Sequence, residues 1–394
     1  MKSQYSQIYL DYNATTPCDQ RVVDAMLPYF TTHFGNASSS HHPFGWLAKD
    51  AIDEATEAIS KTLGVSPKDL VYTSGATESI NGILKGLYRK NKSERNHIVT
   101  TKAEHKAVLD VCKFLESEGA IVTYLDVTSD GLVDMQQLKD SISKNTLVVS
   151  ILYANNETGV IQPLDDISRL CKAKGSFLFS DATQALGKIE MNEFFEHVDF
   201  ACFSGHKLYG PKGIGLSYIK EKNANNIDTF IQGGGQQRSL RGGTYNTPAI
   251  VGLSKAIVLA DKSLTKETKR LKDLRDQLQD GLSAIEESIV NGKNVNRLPN
   301  TLNISFKYID GVNLLRGLSR FLAVSNGSAC NSAEVNPSHV LIAMGIPATL
   351  AFSSLRFSLG RFTSSEDIEN TINIVTEEVA KQRKSNILWE RRNT

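Results

Sequence analysis

From Asp69 to Phe203, short apolar runs and stretches of helical period take turns, and this alternation limits the fold more than any other feature of the chain. The spacing predicts strands over Asp69–Ser74, His97–Thr101, Ala120–Leu125, Thr146–Tyr153, Ser176–Ser180 and Val198–Phe203. It predicts helices over Ser79–Tyr88, Lys106–Glu118, Met135–Ser143 and Ile167–Lys174, after an earlier one from Trp46 to Leu63. Such alternation folds as α/β, a mostly parallel sheet with helices on both faces. Ligands then bind beyond the carboxyl ends of the strands. The notable polar residues fall there: His105, Asn155 and Asn156, Asp181 and Gln184, then Ser204, His206 and Lys207.

After Tyr218 the pattern changes. Gln232 to Thr244 is a polar, glycine-rich loop, and Pro248 opens a long helical region. Thr301–Phe306 and Ser354–Ser358 read as strands, and Val312–Arg320, a short stretch after Pro337 and the chain from Ser365 as helices. A chain of 394 residues exceeds the usual ceiling for one core. The expectation is a large domain over 14–260 and a smaller α+β domain formed by 1–13 and 261–394.

Charge excludes some roles. With 44 basic and 43 acidic residues there is no footprint for direct nucleic-acid binding or a membrane surface. The first residues lack an apolar core and no stretch approaches 18 unbroken apolar residues, so a cytoplasmic protein is expected. The five cysteines are scattered, with no CxxC, which speaks against a disulfide framework or a structural zinc site.

Two junctions carry chemistry. Thr73-Ser-Gly-Ala-Thr-Glu-Ser-Ile80 runs from strand to helix, where free N–H groups and the helix dipole receive an anion; the plain alternative is an ordinary turn capped by Thr77. Ser204-Gly-His-Lys207 leaves a buried strand for a glycine-rich bend. Partial desolvation lowers an amine's pKa and frees its lone pair, so Lys207 is placed to form an imine; the plain alternative for this stretch alone is a hairpin with a solvated lysine. A Schiff-base lysine with an aspartate for the pyridinium nitrogen is what pyridoxal phosphate (PLP) enzymes require, and Lys207 and Asp181 each end a strand.

With these motifs the chain resembles cysteine desulfurases of the NifS/IscS type, in the class V aminotransferase family of fold-type I PLP enzymes. The matches are Tyr9-Leu-Asp-Tyr-Asn-Ala-Thr-Thr-Pro17, Gly35-Asn36 with His42, Thr73-Ser-Gly-Ala-Thr-Glu78, Glu104-His105 and Asn155-Asn-Glu-Thr-Gly159. They continue through Ser180-Asp-Ala-Thr-Gln184, Ser204-Gly-His-Lys207, Arg241-Gly-Gly-Thr244, Gly327-Ser-Ala-Cys330 and Leu355-Arg-Phe-Ser-Leu-Gly360. The Gly-Ser-Ala-Cys segment is similar to group I desulfurases rather than the SufS-like group II.

The resemblance implies a seven-stranded, mostly parallel sheet and a set of roles. Lys207 binds PLP and moves the Cα proton, Asp181 pairs with the pyridinium nitrogen, and Gln184 hydrogen-bonds the ring's phenolic oxygen. His105 stacks on the ring and acts as an acid–base group. Ala76, Thr77, Ser204 and His206 hold the phosphate, and Thr244 reaches the phosphate of the neighbouring subunit. Asn156 and Arg356 hold the substrate carboxylate. A homodimer follows, with L-cysteine as substrate and a sulfur-accepting protein as partner.

Cys330 separates a desulfurase from other PLP enzymes. Its neighbours, Ser325-Asn-Gly-Ser-Ala-Cys-Asn-Ser-Ala-Glu334, are small and polar, which suits a nucleophile that takes sulfur and delivers it elsewhere. Cys202, between Ala201 and Phe203, reads as buried, and Cys18, Cys112 and Cys171 as structural or surface thiols. Asn326 and Asn331 stand where the commonest family loop has serine and threonine. Some members dock a scaffold protein through an extended C-terminus; this chain stops soon after Leu388-Trp-Glu390, so that partnership is not an expectation here. Another class V enzyme, a selenocysteine lyase or an aminotransferase, is the alternative. A PLP-sensing regulator is disfavoured by the lack of a basic DNA-binding extension.

Overall fold

The computed structural model describes residues 7–326 and 336–392, so Cys330 and Asn331 lie outside the described residues. In chain order the strands are β1 (Ile8–Tyr9), β2 (Leu70–Thr73), β3 (His97–Thr101), β4 (Ile121–Leu125), β5 (Thr146–Ser150), β6 (Phe177–Asp181), β7 (Phe200–Ser204) and β8 (Gly215–Ile219). They continue with β9 (Ser288–Val290), β10 (Thr301–Phe306), β11 (Leu322–Ala323) and β12 (Ser354–Ser358). The main sheet has seven strands in the order β2-β8-β7-β6-β5-β3-β4. Of these only β8 runs against the rest. The expected α/β architecture is therefore present.

Alternate side chains of each strand feed two different cores. Val71, Ile98, Val148, Phe179, Phe200 and Cys202 face one, beside the helix Ala76–Asn91. Leu70, Tyr72, Val99, Val149, Leu178, Ala201 and Phe203 face the other. With both faces covered, no strand position can be polar cheaply, which is why these strands read as continuous apolar runs.

The helix Thr247–Ser283 belongs to two cores. Its first half gives Ala249, Ile250, Leu253, Ala256 and Ile257 to the core beneath the main sheet. Its second half gives Leu271, Leu274, Leu278 and Leu282 to a separate core with Leu10, Leu302, Ile304, Phe306, Leu355 and Phe357. There the antiparallel sheet β12-β10-β9 packs, and β1 pairs with β11 nearby. A small satellite of Val340, Leu341, Met344 and Ala351 sits on Ala103 and Val127.

Element limits differ from the sequence reading at informative places. The helix expected from Ser79 begins at Ala76, and its N-cap is Gly75 with no side-chain cap, so Thr77 lies inside the first turn rather than capping it. Two short helices, His339–Ala343 and Ala348–Phe352, stand where one was predicted. At Gly215 the start of β8 passes so close to the turn at Gly75 that a Cβ would lie 2.5 Å from the Gly75 Cα, so only glycine fits.

Candidate active site

The carboxyl ends of β2, β3, β5, β6 and β7 open onto a cavity of about 820 Å³. Ala76, Thr77, His105, Asn156, Asp181, Gln184, Ser204, His206, Lys207 and Arg356 all line it. Thr244 does not; it is exposed on the loop that precedes the long helix.

Lys207 ends a single helical turn directly after β7. Its Nζ donates to the backbone oxygens of Asn13 and Ala14, each at 2.7 Å, and makes no ion pair among the described residues. Burial chiefly, and then the Arg356 guanidinium, draw the amine down to about 8, against the opposing pull of Asp181 and Asp11. A sizeable fraction is therefore uncharged near neutral pH, as a nucleophilic amine needs.

Asp181, the last residue of β6, is buried, and its Oδ1 accepts the Thr183 N–H at 2.9 Å. Behind it, burial and the Asp181 carboxylate push the Cys202 thiol well above its ordinary range, so this cysteine is inert. His105 caps the helix Lys106–Ser117: its Nδ1 accepts the Ala107 N–H at 3.1 Å, which leaves the ring proton on Nε2. Desolvation lowers its pKa, with Lys207 adding to the effect and Asp181 opposing it.

On the opposite side the uncapped start of the helix Ala76–Asn91 faces the cavity together with Ser204 and His206. Desolvation and the nearby Lys207 and Lys212 bring His206 down to about 4, so it is neutral, and its Nδ1 meets Thr15 Oγ1 at 3.1 Å. Glu78 stiffens this turn: its Oε2 accepts the Ser74 N–H at 2.7 Å and its Oε1 accepts Arg241 Nε at 2.8 Å. Arg356 donates from Nη1 to the Asn156 backbone oxygen at 3.1 Å and from Nη2 to Asp11 Oδ1 at 2.6 Å. Its buried Nε has no hydrogen-bond partner among the described residues.

Several residues of the site escaped the sequence reading. Asn13 is almost fully enclosed and touches Lys207, Gln184, Lys188, Asn156, Thr301 and Asn300. Its motif stands out in the sequence, but the contacts join positions far apart in the chain. Glu104 is buried and raised well above the carboxylate range by burial, with its Oε1 accepting the Leu152 N–H. Glu157 lines the cavity and accepts from Ser338 Oγ, while His339 Nε2 meets the Glu104 backbone oxygen at 2.8 Å. Glu104 and Glu157 stand inside motifs of the sequence, but nothing there gives them a role, and Ser338 and His339 carry no signal at all.

A lysine and an aspartate at neighbouring strand ends, facing an uncapped helix N-terminus across one cavity, define a fold-type I PLP enzyme. The chain belongs to the class-V aminotransferase family, whose description matches residues 8–371. It is 45% identical over 384 residues to a cysteine desulfurase IscS of Rickettsia bellii (strain OSU 85-389), covering 97% of this chain and 93% of that one. Among solved structures, a NifS-like protein superposes with a TM-score of 0.88 at 37% identity, covering 95% of this chain and 99% of the other. SspA in complex with cysteine gives a TM-score of 0.78 at 35% identity, over 90% and 99%. The family's cofactor is pyridoxal 5′-phosphate. The residues fit it: a partly neutral amine, a buried carboxylate and free N–H groups for the phosphate occupy one cavity.

Proposed function

We propose that the chain is a PLP-dependent cysteine desulfurase that converts L-cysteine to L-alanine and retains the sulfur as a persulfide on Cys330. The observation that carries the reading is Lys207, an amine drawn down to about 8 and aimed into the cavity that Asp181, His105 and Arg356 also line. The names of the relatives favour this over the selenocysteine lyase and aminotransferase alternatives.

Bound PLP supplies electron withdrawal from the Cα of the amino acid. Asp181 holds a proton on the ring nitrogen, and Gln184 offers an N–H to the ring oxygen. Ala76, Thr77, Ser204 and His206 take the phosphate, with Thr244 serving the partner subunit's site. The Arg356 fork and Asn156 hold the substrate carboxylate. Lys207 Nζ moves a proton at Cα, and His105 Nε2 serves as acid–base group.

The sulfur step balances as L-cysteine plus one thiol giving L-alanine plus one persulfide. The Cys330 sulfur attacks the substrate sulfur, the Cβ–S bond breaks with its electron pair on carbon, and that carbon takes up a proton. The persulfide then passes to an acceptor protein serving iron–sulfur cluster assembly, tRNA thiolation or DNA phosphorothioation.

A homodimer is part of the proposal. Leu27, Phe30, Phe34, Phe44, Trp46 and Leu47 are half or more exposed within one short stretch, more apolar surface than a lone chain normally shows to water. A cytoplasmic location is proposed as well; among the described residues no helix is long and apolar enough to cross a membrane. The test is single-turnover incubation with L-cysteine, following alanine and the mass of the Cys330 peptide together. Transamination to a keto acid, with no added sulfur, refutes the reading.

A further inference from the structure

Behind the cavity wall, outside the residues that line it, lies a second lysine. Lys188 follows Gln184 by four residues in the turns after β6, and its Nζ donates to Gln184 Oε1 and, at 3.1 Å, to Asn13 Oδ1. It makes no ion pair with a carboxylate among the described residues. Burial draws its amine well below the ordinary lysine range, and Lys207 and Arg356 add repulsion.

The donor–acceptor pattern around it admits one arrangement. Gln184 Nε2 donates to the Asn13 backbone oxygen at 3.0 Å, and Asn13 Nδ2 donates to the Asn156 backbone oxygen at 3.2 Å. Backbone carbonyls only accept, so the NH₂ end of each carboxamide is turned to its carbonyl and each side-chain oxygen is turned to Lys188. Even as a neutral amine, Lys188 has two N–H groups for these two oxygens. Asn13 Oδ1 also accepts from Asn300 Nδ2 at 3.1 Å, whereas Lys188 is the donor to Gln184 Oε1, so without Lys188 the Gln184 oxygen would be left enclosed and unpaired and its carboxamide held only by the Asn13 backbone oxygen.

We infer that Lys188 is a positioning residue of the cofactor site, a post that locks the carboxamides of Gln184 and Asn13 so that Gln184 presents an N–H, not a C=O, to the cofactor's ring oxygen. The inference rests on the PLP reading above. Lys188 acts through Gln184 and touches neither cofactor nor substrate. Asn13 carries the same constraint to Lys207, whose Nζ shares the Asn13 backbone oxygen with Gln184.

The test is the visible absorbance of purified holoenzyme, titrated with pH, for the parent, Lys188→Met, Gln184→Leu and the double variant, with melting curves to check folding. Loss of a donor leaves more negative charge on the ring oxygen beside the titrating nitrogen, so the midpoint rises. The expected rise in Lys188→Met is about one pH unit, as for loss of one hydrogen bond to a charged form. Gln184→Leu moves it the same way, and the double variant moves it no further than the larger single change, because the two residues act in series. A parent-like spectrum and midpoint in Lys188→Met overturns the assignment, and so do shifts that add in the double variant. If Lys188→Met fails to fold, Lys188→Arg, which keeps only donors, must retain the parent midpoint; a shift as large as that of Gln184→Leu overturns the inference. A parent protein that binds no PLP fails differently: it removes the cofactor reading itself.

Discussion

Lys207 Nζ and the backbone oxygen of Asn13 stand 2.7 Å apart across 194 positions of sequence. The strap that follows β1 thus supplies the two acceptors that hold the reactive amine, Asn13 and Ala14. Carbonyls orient an amine without fixing a full positive charge on it as a carboxylate would, so orientation and a lowered pKa coexist at this site.

Covalent loading of PLP should therefore follow the free amine. Trapping apo-protein and PLP with borohydride at a series of pH values should give a midpoint near 8, not near 10.5, the ordinary lysine value. Arg356→Gln removes a positive neighbour and should raise that midpoint; Lys207→Ala should trap nothing and turn over no cysteine. A midpoint near 10.5 in the parent would show that the amine is not desolvated.

The same shift bears on stability. The unfolded chain protonates Lys207 near 10.5 and the folded apo-protein near 8, so between these values the unfolded state binds more protons. The cost of burying the charge is complete below about 8 and fades as pH rises to 10.5. Lys207→Met should be more stable than the parent apo-protein below pH 8, and the gap in Tm should narrow through that window. A pH-independent gap would contradict this.

Asp181→Asn should still bind PLP yet lose activity, because an amide cannot hold the ring nitrogen protonated. Loss of one charge-assisted bond, about 1.5–3 kcal/mol, corresponds to a fall in kcat/KM of roughly 10- to 150-fold at the least. Steady-state rates on the fully loaded variant check this, and parent-like rates would place the electron-sink control elsewhere.

Cys330→Ala should bind L-cysteine, seen as a change in the cofactor's absorbance, but produce no alanine. In the parent, one turnover should add about 32 Da, one sulfur atom, reversibly to the peptide carrying Cys330. Finding that mass on the peptide of Cys112 or Cys202, whose thiols burial keeps protonated, would refute the assignment.

Gly215→Ala should injure the phosphate turn from behind. The added Cβ meets the Gly75 backbone at 2.5 Å, where no flexible side chain can give way. A loss of about 1–3 kcal/mol is expected, read by denaturant unfolding, with weaker retention of PLP on dialysis. Unchanged cofactor affinity would mean the turn absorbs the displacement.

Much of this was visible in the linear sequence, for physical reasons that also explain the gaps. His97–Thr101 is a β-branched run bounded by polar residues, and Thr301–Phe306 and Ser354–Ser358 alternate apolar with polar residues at the strand period, so all three are delimited to the residue in the sequence. Lys207, Asp181 and His105 stood out because each is a polar residue at the end of such a run. The start of the helix at Ala76 was placed three residues late, because Gly75 begins it without a side-chain cap. Asn13, Glu157, Lys188 and His339 acquire meaning only through partners brought close by folding: Ser338 and Glu157 are 181 positions apart, and His339 and Glu104 235. No local period encodes such pairs.

The helix Thr247–Ser283 has a mechanical consequence. One rigid rod of 37 residues is built into both cores, so neither core can shear or rotate on the other without breaking a helix. Between Ala260 and Leu271 the rod gives neither core a fully buried apolar side chain, and that is where its phase can be altered. Two residues inserted there would rotate the distal leucine face by about 200° and splint the two halves out of register.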